Sequence, residues 1–277
     1  MSMITVRKNG HGEWKHLHQL EWNSDYQNTF KCDGCQELGI GPRYRCDRCN
    51  YDLHKLCHEV VLQHSNSTTS TRISHDHFPG DTFEFLPFHP HTPAGRFCDA
   101  CGKRVCGFVY HCKEKGWDLH PCCSNLETKI HVDGTDFFLN LPMAAAAAGS
   151  SGAVCCRKNC LWCKKRSLKG TKKWVPGWSY VSSCGDYRVH VYCLTEILIE
   201  AWKKMEMIKK KKKKGNTNSS DVGSSVNLKE LARKNSRSKG DHGFLWKAAL
   251  FVRTLVGLIF GDPTVVLSTI FFELLIR

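Results

Sequence analysis

The amino end of this chain, Met1 to Gly10, lacks the apolar stretch of a secretory signal. A chain without such a leader is expected to begin in the cytosol, where thiols stay reduced. There is also no glycine-rich phosphate loop and no nucleophile elbow, so neither phosphate-cradling nor hydrolase chemistry is encoded. Proline is scarce, with 9 residues in 277. No apolar run reaches the roughly 20 residues that a membrane-spanning helix needs. The nearest approach, Phe244 to Phe260, is interrupted by Lys247, Arg253 and Thr254, ends at Asp262-Pro263, and resumes only from Val265 to Ile276 with Glu273 inside it.

Cysteine and histidine are plentiful instead, 17 and 15 residues respectively. An odd number of cysteines, many in Cys-x2-Cys pairs with histidines nearby, reads as metal ligation rather than a disulfide framework. The formal charge of +14 is unevenly placed. Residues 203–240 hold 13 Lys/Arg against 3 Asp/Glu, so the cysteine-rich body is almost neutral and the basicity belongs to one local segment.

An internal repeat organises the first half. A shift of 66 residues lays Cys32, Cys35, Cys46, His54 and Cys57 on Cys98, Cys101, Cys112, His120 and Cys123 without a gap, and Asp52-Leu53-His54 on Asp118-Leu119-His120. The expected organisation is module 1 at 14–65, module 2 at 75–132, a low-complexity linker at 140–153, a degenerate module 3 at 154–202, a basic linker at 203–240 and an apolar helical segment at 243–277. Arg43-Tyr44-Arg45 and Phe108-Val109-Tyr110 read as short antiparallel strands. Apolar residues at helical spacing from Leu194 to Met205 predict a helix closing module 3.

Module 1 reads Cys32-x2-Cys35-x10-Cys46-x2-Cys49-x4-His54-x2-Cys57-x6-His64, preceded by His16 and His18. Cys-x2-Cys is the knuckle that presents two thiolates to one ion, and zinc completes a tetrahedron with two further N or S ligands. Counting His18, eight donors suffice for two closed sites, which leave no position for substrate. About fifty residues is near the lower limit for folding on apolar burial alone, so zinc is expected to supply much of the folding free energy. PHD and RING fingers would need another Cys-x2-Cys after His54-x2-Cys57, and none occurs before Cys98.

These residues, with the Tyr44, Cys46, Asp52, Leu53, His54 series and its counterpart from Gly107 to Cys123, resemble the divergent C1 domain, the cysteine/histidine-rich module of plants related to the diacylglycerol-binding domain of protein kinase C. The resemblance covers about residues 14–200 and implies small zinc-stabilised α+β modules in tandem; the apolar pattern beyond residue 243 adds a helical C-terminal tail. It implies interleaved ligation, with Cys32, Cys35, His54 and Cys57 on one zinc and His18, Cys46, Cys49 and His64 on the other. His16 competes with His18 for the first position, and the Gln19-Leu20 that follows His18 matches the family better.

In module 2 the same pattern keeps Cys98, Cys101, His120 and Cys123. The second site, His77, Cys112 and His131, is one ligand short because Lys115 stands where a cysteine belongs; Cys106, His111 and Cys122 are the residues available to substitute. Module 3 keeps Cys160, Cys163, His190 and Cys193, while its inner pair is reduced to Ser182 and Gly185, with Cys184 out of step. Four zincs per chain are expected.

No general acid or base is singled out beside the incomplete site, so the chain is expected not to be an enzyme. It is expected to be an adaptor or signalling module for a protein partner, and for an anionic membrane or lipid met through Lys209, Lys210, Lys211, Lys212, Lys213 and Lys214. The expected location is cytoplasmic, peripheral on an endomembrane. The alternative is a nuclear regulator that contacts nucleic acid through the lysine run, although no aromatics are interleaved there for base stacking.

Overall fold

A computed structural model describes residues 16–24, 29–66, 71–88, 95–132, 135–141, 158–168, 177–196 and 199. These fall into two compact units, the first up to Thr128, the second from Lys129 to Leu168 and from Gly177 on. Small antiparallel sheets dominate both. The lysine run, the Ala/Gly linker and the apolar helical segment all lie outside the described residues, and among the described residues no helix is long and apolar enough to cross a membrane.

The first unit holds modules 1 and 2. Module 1 has one sheet in the order β1 (Glu21–Asn23), β4 (Arg43–Cys46), β5 (Tyr51–Leu53), and a hairpin of β2 (Thr29–Lys31) with β3 (Leu38–Ile40). Helix α1 (Lys55–Asn66) follows β5 at once. Module 2 has a four-stranded sheet of β6 (Arg72–His75), β7 (Phe78–Leu86), β8 (Val109–Cys112) and β9 (Trp117–Leu119), then a single helical turn, α2 (Pro121–Ser124). The strands expected around Tyr44 and Tyr110 are β4 and β8.

The knuckles of modules 1 and 2 are tied to their sheets by the same bonds. Asp33 N donates to Asp52 O at 2.8 Å while Asp52 N donates to the Asp33 carboxylate at 2.8 Å. Asp99 and Asp118 repeat the exchange at 2.8 and 2.7 Å. The Asp-Leu-His triplet thereby gains a reason. The aspartate closes this exchange and holds buried arginine (Arg43 Nε to Asp52 Oδ1, 2.8 Å), the leucine is fully buried core, and the histidine is delivered to the knuckle.

Modules 1 and 2 share backbone. Phe108 N donates to Gly34 O at 2.9 Å, and a Cβ built on Gly107 would stand 2.0 Å from that same oxygen, so only glycine permits this approach. Phe108 is buried against Phe85, with ring centroids 5.3 Å apart.

The second unit is one sheet in the order β10 (Lys129–Val132), β11 (Thr135–Asn140), β12 (Ser179–Ser182), β13 (Arg188–His190). Its first strand comes from the end of the expected module 2 and its second from the stretch between that module and the expected linker, yet β11 pairs with β12, with Leu139 opposite Tyr180. The hairpin therefore opens module 3. Residues 191–196 and Ile199 are helical, and the rest of the helix expected after Leu194 lies outside the described residues.

Candidate metal centres

Three knuckles share one backbone design. Cys32 N donates to Glu37 O at 2.9 Å, Cys98 N to Lys103 O at 2.8 Å and Cys160 N to Lys165 O at 2.9 Å. Inside each loop one residue is left-handed, Gln36 at φ 66, Gly102 at φ 71 and Lys164 at φ 58. This turn brings the two sulfurs together. The third and fourth donors come from the end of a strand and the helical turn after it: His54 and Cys57, His120 and Cys123, His190 and Cys193.

In all three clusters the histidine turns Nδ1 to the sulfurs. His54 Nδ1 is 3.4 Å from Cys35 Sγ and 3.9 Å from Cys57 Sγ. His120 Nδ1 is 3.4 Å from Cys101 and 4.0 Å from Cys123. His190 Nδ1 is 3.3 Å from Cys163 and 3.6 Å from Cys193. Zinc with ordinary Zn–S and Zn–N lengths at a tetrahedral angle separates its ligand atoms by about 3.5 Å, so the donor sets fit that ion. Three thiols and an imidazole are soft enough for zinc and unsuited to calcium or magnesium.

The electrostatics suit a cation. Burial acts to raise the Cys32 and Cys98 thiols, yet hydrogen bonds from Cys35 and Cys57, and from Cys101 and Cys123, hold both well below the ordinary range. Cys160, bonded by Cys193, is brought down to about 3 despite its burial. Each cluster thus holds one thiol that ionises readily, while its partner is pushed up, Cys57 by burial and the bonds it makes, Cys123 and Cys193 by the bonds they make and by burial.

A fourth cluster gathers His16, His18, Cys46 and Cys49, with all donor atoms within 4.8 Å of one another. His18 Nδ1 lies 3.0 Å from Cys49 Sγ, and the His16 ring stacks on Tyr51 at 4.4 Å. Both rival histidines lie with the inner cysteine pair, and His64 is not among the donors gathered there. It sits in the last turn of α1, seven residues and about 10 Å of helix beyond Cys57. There its ring meets Phe85 edge-on at 5.3 Å and its Nδ1 is 3.4 Å from Thr71 Oγ1. An unbroken helix carries it away from the site.

Among the described residues, the second sites of modules 2 and 3 are not assembled. Trp22 pairs with Tyr44, Phe85 with Tyr110 and Leu139 with Tyr180, which sets the three sheets in common register. Four residues back along each first strand stand His18, Asp81 and Thr135. At the inner pair stand Cys46 and Cys49, then Cys112 and Lys115, then Ser182 and Gly185. The ligand set is lost stepwise.

His77, expected beside Cys112, lies in the turn between β6 and β7, 5.6 Å from the His75 ring, because module 2 inserts a hairpin there and β7 takes the part of β1. Cys112 Sγ instead meets the Glu114 carboxylate at 3.4 Å. His131 belongs to the second unit, exposed on β10 and 2.8 Å from Asp136. Of the substitutes, His111 pairs with Asp118 at 2.9 Å, Cys106 is exposed, and Cys122 packs toward Cys57 and His54 of module 1, where the bond to Cys57 outweighs burial and lowers its thiol to about 5. Cys184 is exposed, its Sγ 3.2 Å from Ser182 Oγ.

Residues 14–58 match the family model of the C1 domain. The first module is therefore a C1-like domain, and the chain carries further Cys/His clusters suited to zinc. No curated protein and no solved structure matches the chain.

Proposed function

We propose that this chain is a non-enzymatic adaptor of the plant divergent C1 type, whose zinc ions are structural and whose surface and basic tail meet a protein partner and an anionic membrane. The observation that carries this reading is closure: each of the four clusters offers four protein donors, the full complement of a tetrahedral zinc, and leaves no position at which a substrate would replace water. The hexalysine run, concentrated in one segment and followed by a broken apolar stretch, supports attraction to an anionic lipid face reinforced by apolar contact.

The test is co-sedimentation of the zinc-loaded full chain with phosphatidylserine-containing vesicles and with phosphatidylcholine vesicles. Binding only to the former, lost on deletion of residues 203–277 and weakened by salt, is the expected result. A chain that stays in the supernatant with both vesicles ends the membrane part of the proposal. The adaptor part ends if the purified chain turns over a substrate and Cys112→Ala abolishes that turnover.

A further inference from the structure

We propose that Glu37 of module 1 is the outer partner of His120, so that the metal centre of module 2 is completed by a side chain from its neighbour. This deepens the zinc reading above and rests on it.

His120 is 1% exposed and turns Nδ1 to the Cys101 and Cys123 sulfurs. A neutral imidazole that gives Nδ1 to a metal keeps its one proton on Nε2. That Nε2 is buried and has no hydrogen-bond partner within reach. An unmade bond at a buried donor is costly, and metal-ligating histidines commonly give their second N–H to a carboxylate or a carbonyl, which fixes the ring and strengthens the ligand. The group facing His120 Nε2 is Glu37 Oε1 at 3.8 Å, an ion-pair separation that a small rotation of the partly exposed glutamate closes. Its other oxygen is 3.3 Å from Lys103 Nζ, which holds the carboxylate at the module border.

Comparison of the three modules makes the arrangement specific. Glu37, Lys103 and Lys165 occupy the same place in the knuckle, each closing it through the backbone carbonyl. Only the first can accept a proton donor through its side chain. In module 3 the corresponding histidine finds an acceptor within its own module, His190 Nε2 lying 3.3 Å from Arg166 O. Module 2 lacks an equivalent bond to its own backbone and has Glu37 of module 1 instead. Glu37 is thus a positioning residue, and the shared backbone at Gly34 and Phe108 keeps it in place. Because its own carbonyl closes the first knuckle, a side-chain substitution leaves that closure intact.

The experiment uses the full chain loaded with cadmium-113, each cluster giving its own resonance, the module 2 signal being assigned by its loss in His120→Ala. Glu37→Ala is expected to release that cadmium to a competing chelator at 10–100-fold lower chelator concentration, with the Cys32, Cys35, His54, Cys57 signal retained. Glu37→Gln, which keeps the packing and a weaker acceptor, is expected to fall between. In the exchanged pair Glu37→Lys with Lys103→Glu the ion pair is restored but His120 loses its acceptor, so affinity stays low. If Glu37→Ala leaves the module 2 affinity within about twofold of the parent, or if the exchanged pair restores it, the proposal is overturned and the border ion pair is merely structural. If the parent shows no module 2 signal, the zinc reading itself fails.

Discussion

Replacing His16 with alanine removes one of four donors from its cluster, whereas replacing His64 removes a ring from the end of a helix. The expected outcome is a chain that loses one zinc equivalent with His16→Ala and keeps its full complement with His64→Ala, read by elemental analysis. Cysteine spacing made the thiol ligands legible in the sequence because a knuckle is a local structure. It did not make this histidine legible, because whether His64 returns to the metal depends on how far α1 continues past Cys57. A second residue-scale outcome concerns His75. Burial, with His77 adding to it, pulls His75 down to about 4. A depressed folded value means that its contribution to stability is present above the unfolded value near pH 6.5 and is lost as pH falls toward 4. Over that window the stability slope gains up to one proton, roughly 1.4 kcal/mol per pH unit. Denaturant titrations from pH 7 to 4 at fixed zinc are expected to show a shallower acid limb for His75→Phe than for the parent, the difference separating this proton from those taken up by released thiolates.

Among elements, the border between modules 1 and 2 is the most demanding. Gly107→Ala places a methyl group 2.0 Å from Gly34 O, where no rotamer relieves it because both partners are backbone. The cost is expected to be about 1–3 kcal/mol, as for overpacking in a core, and a lowered urea midpoint of the first unit checks it. The 66-residue repeat showed Gly107 matching Gly41 but not what either glycine meets. That contact lies between repeats, and a self-comparison reports only likeness within them. The same limit hid the hairpin β10–β11: its strands carry no metal ligand of module 3, so spacing left β10 in module 2 and β11 in no module, while pairing of Leu139 with Tyr180 puts both in the third sheet. The inserted β6–β7 hairpin likewise moved Asp81, not His77, to the place of His18.

For the whole molecule, four clusters suited to zinc among the described residues give an expected four zinc ions per chain, read by elemental analysis. Structural zinc in small fingers contributes on the order of 10–16 kcal/mol of apparent binding free energy at neutral pH, against a net stability of about 5–15 kcal/mol for an ordinary domain. Exhaustive chelation is therefore expected to abolish the folded near-ultraviolet circular dichroism signal, and stoichiometric zinc to restore it. Zinc dependence was legible in composition and spacing at this scale. The count of complete clusters, two in the first module and one in each of the others among the described residues, was legible in the spacing too; the first histidine of the second cluster was not, because its place follows from strand register. The shared hydrogen bond at Gly34 has a further consequence for any attempt to divide the chain. A gene truncation in the Ser/Thr stretch between His64 and His75, which makes the second module without the first, is expected to bare the greasy ring of Phe108 and leave its amide unanswered. The two copies of the repeat are thus expected to need each other's surface to be complete.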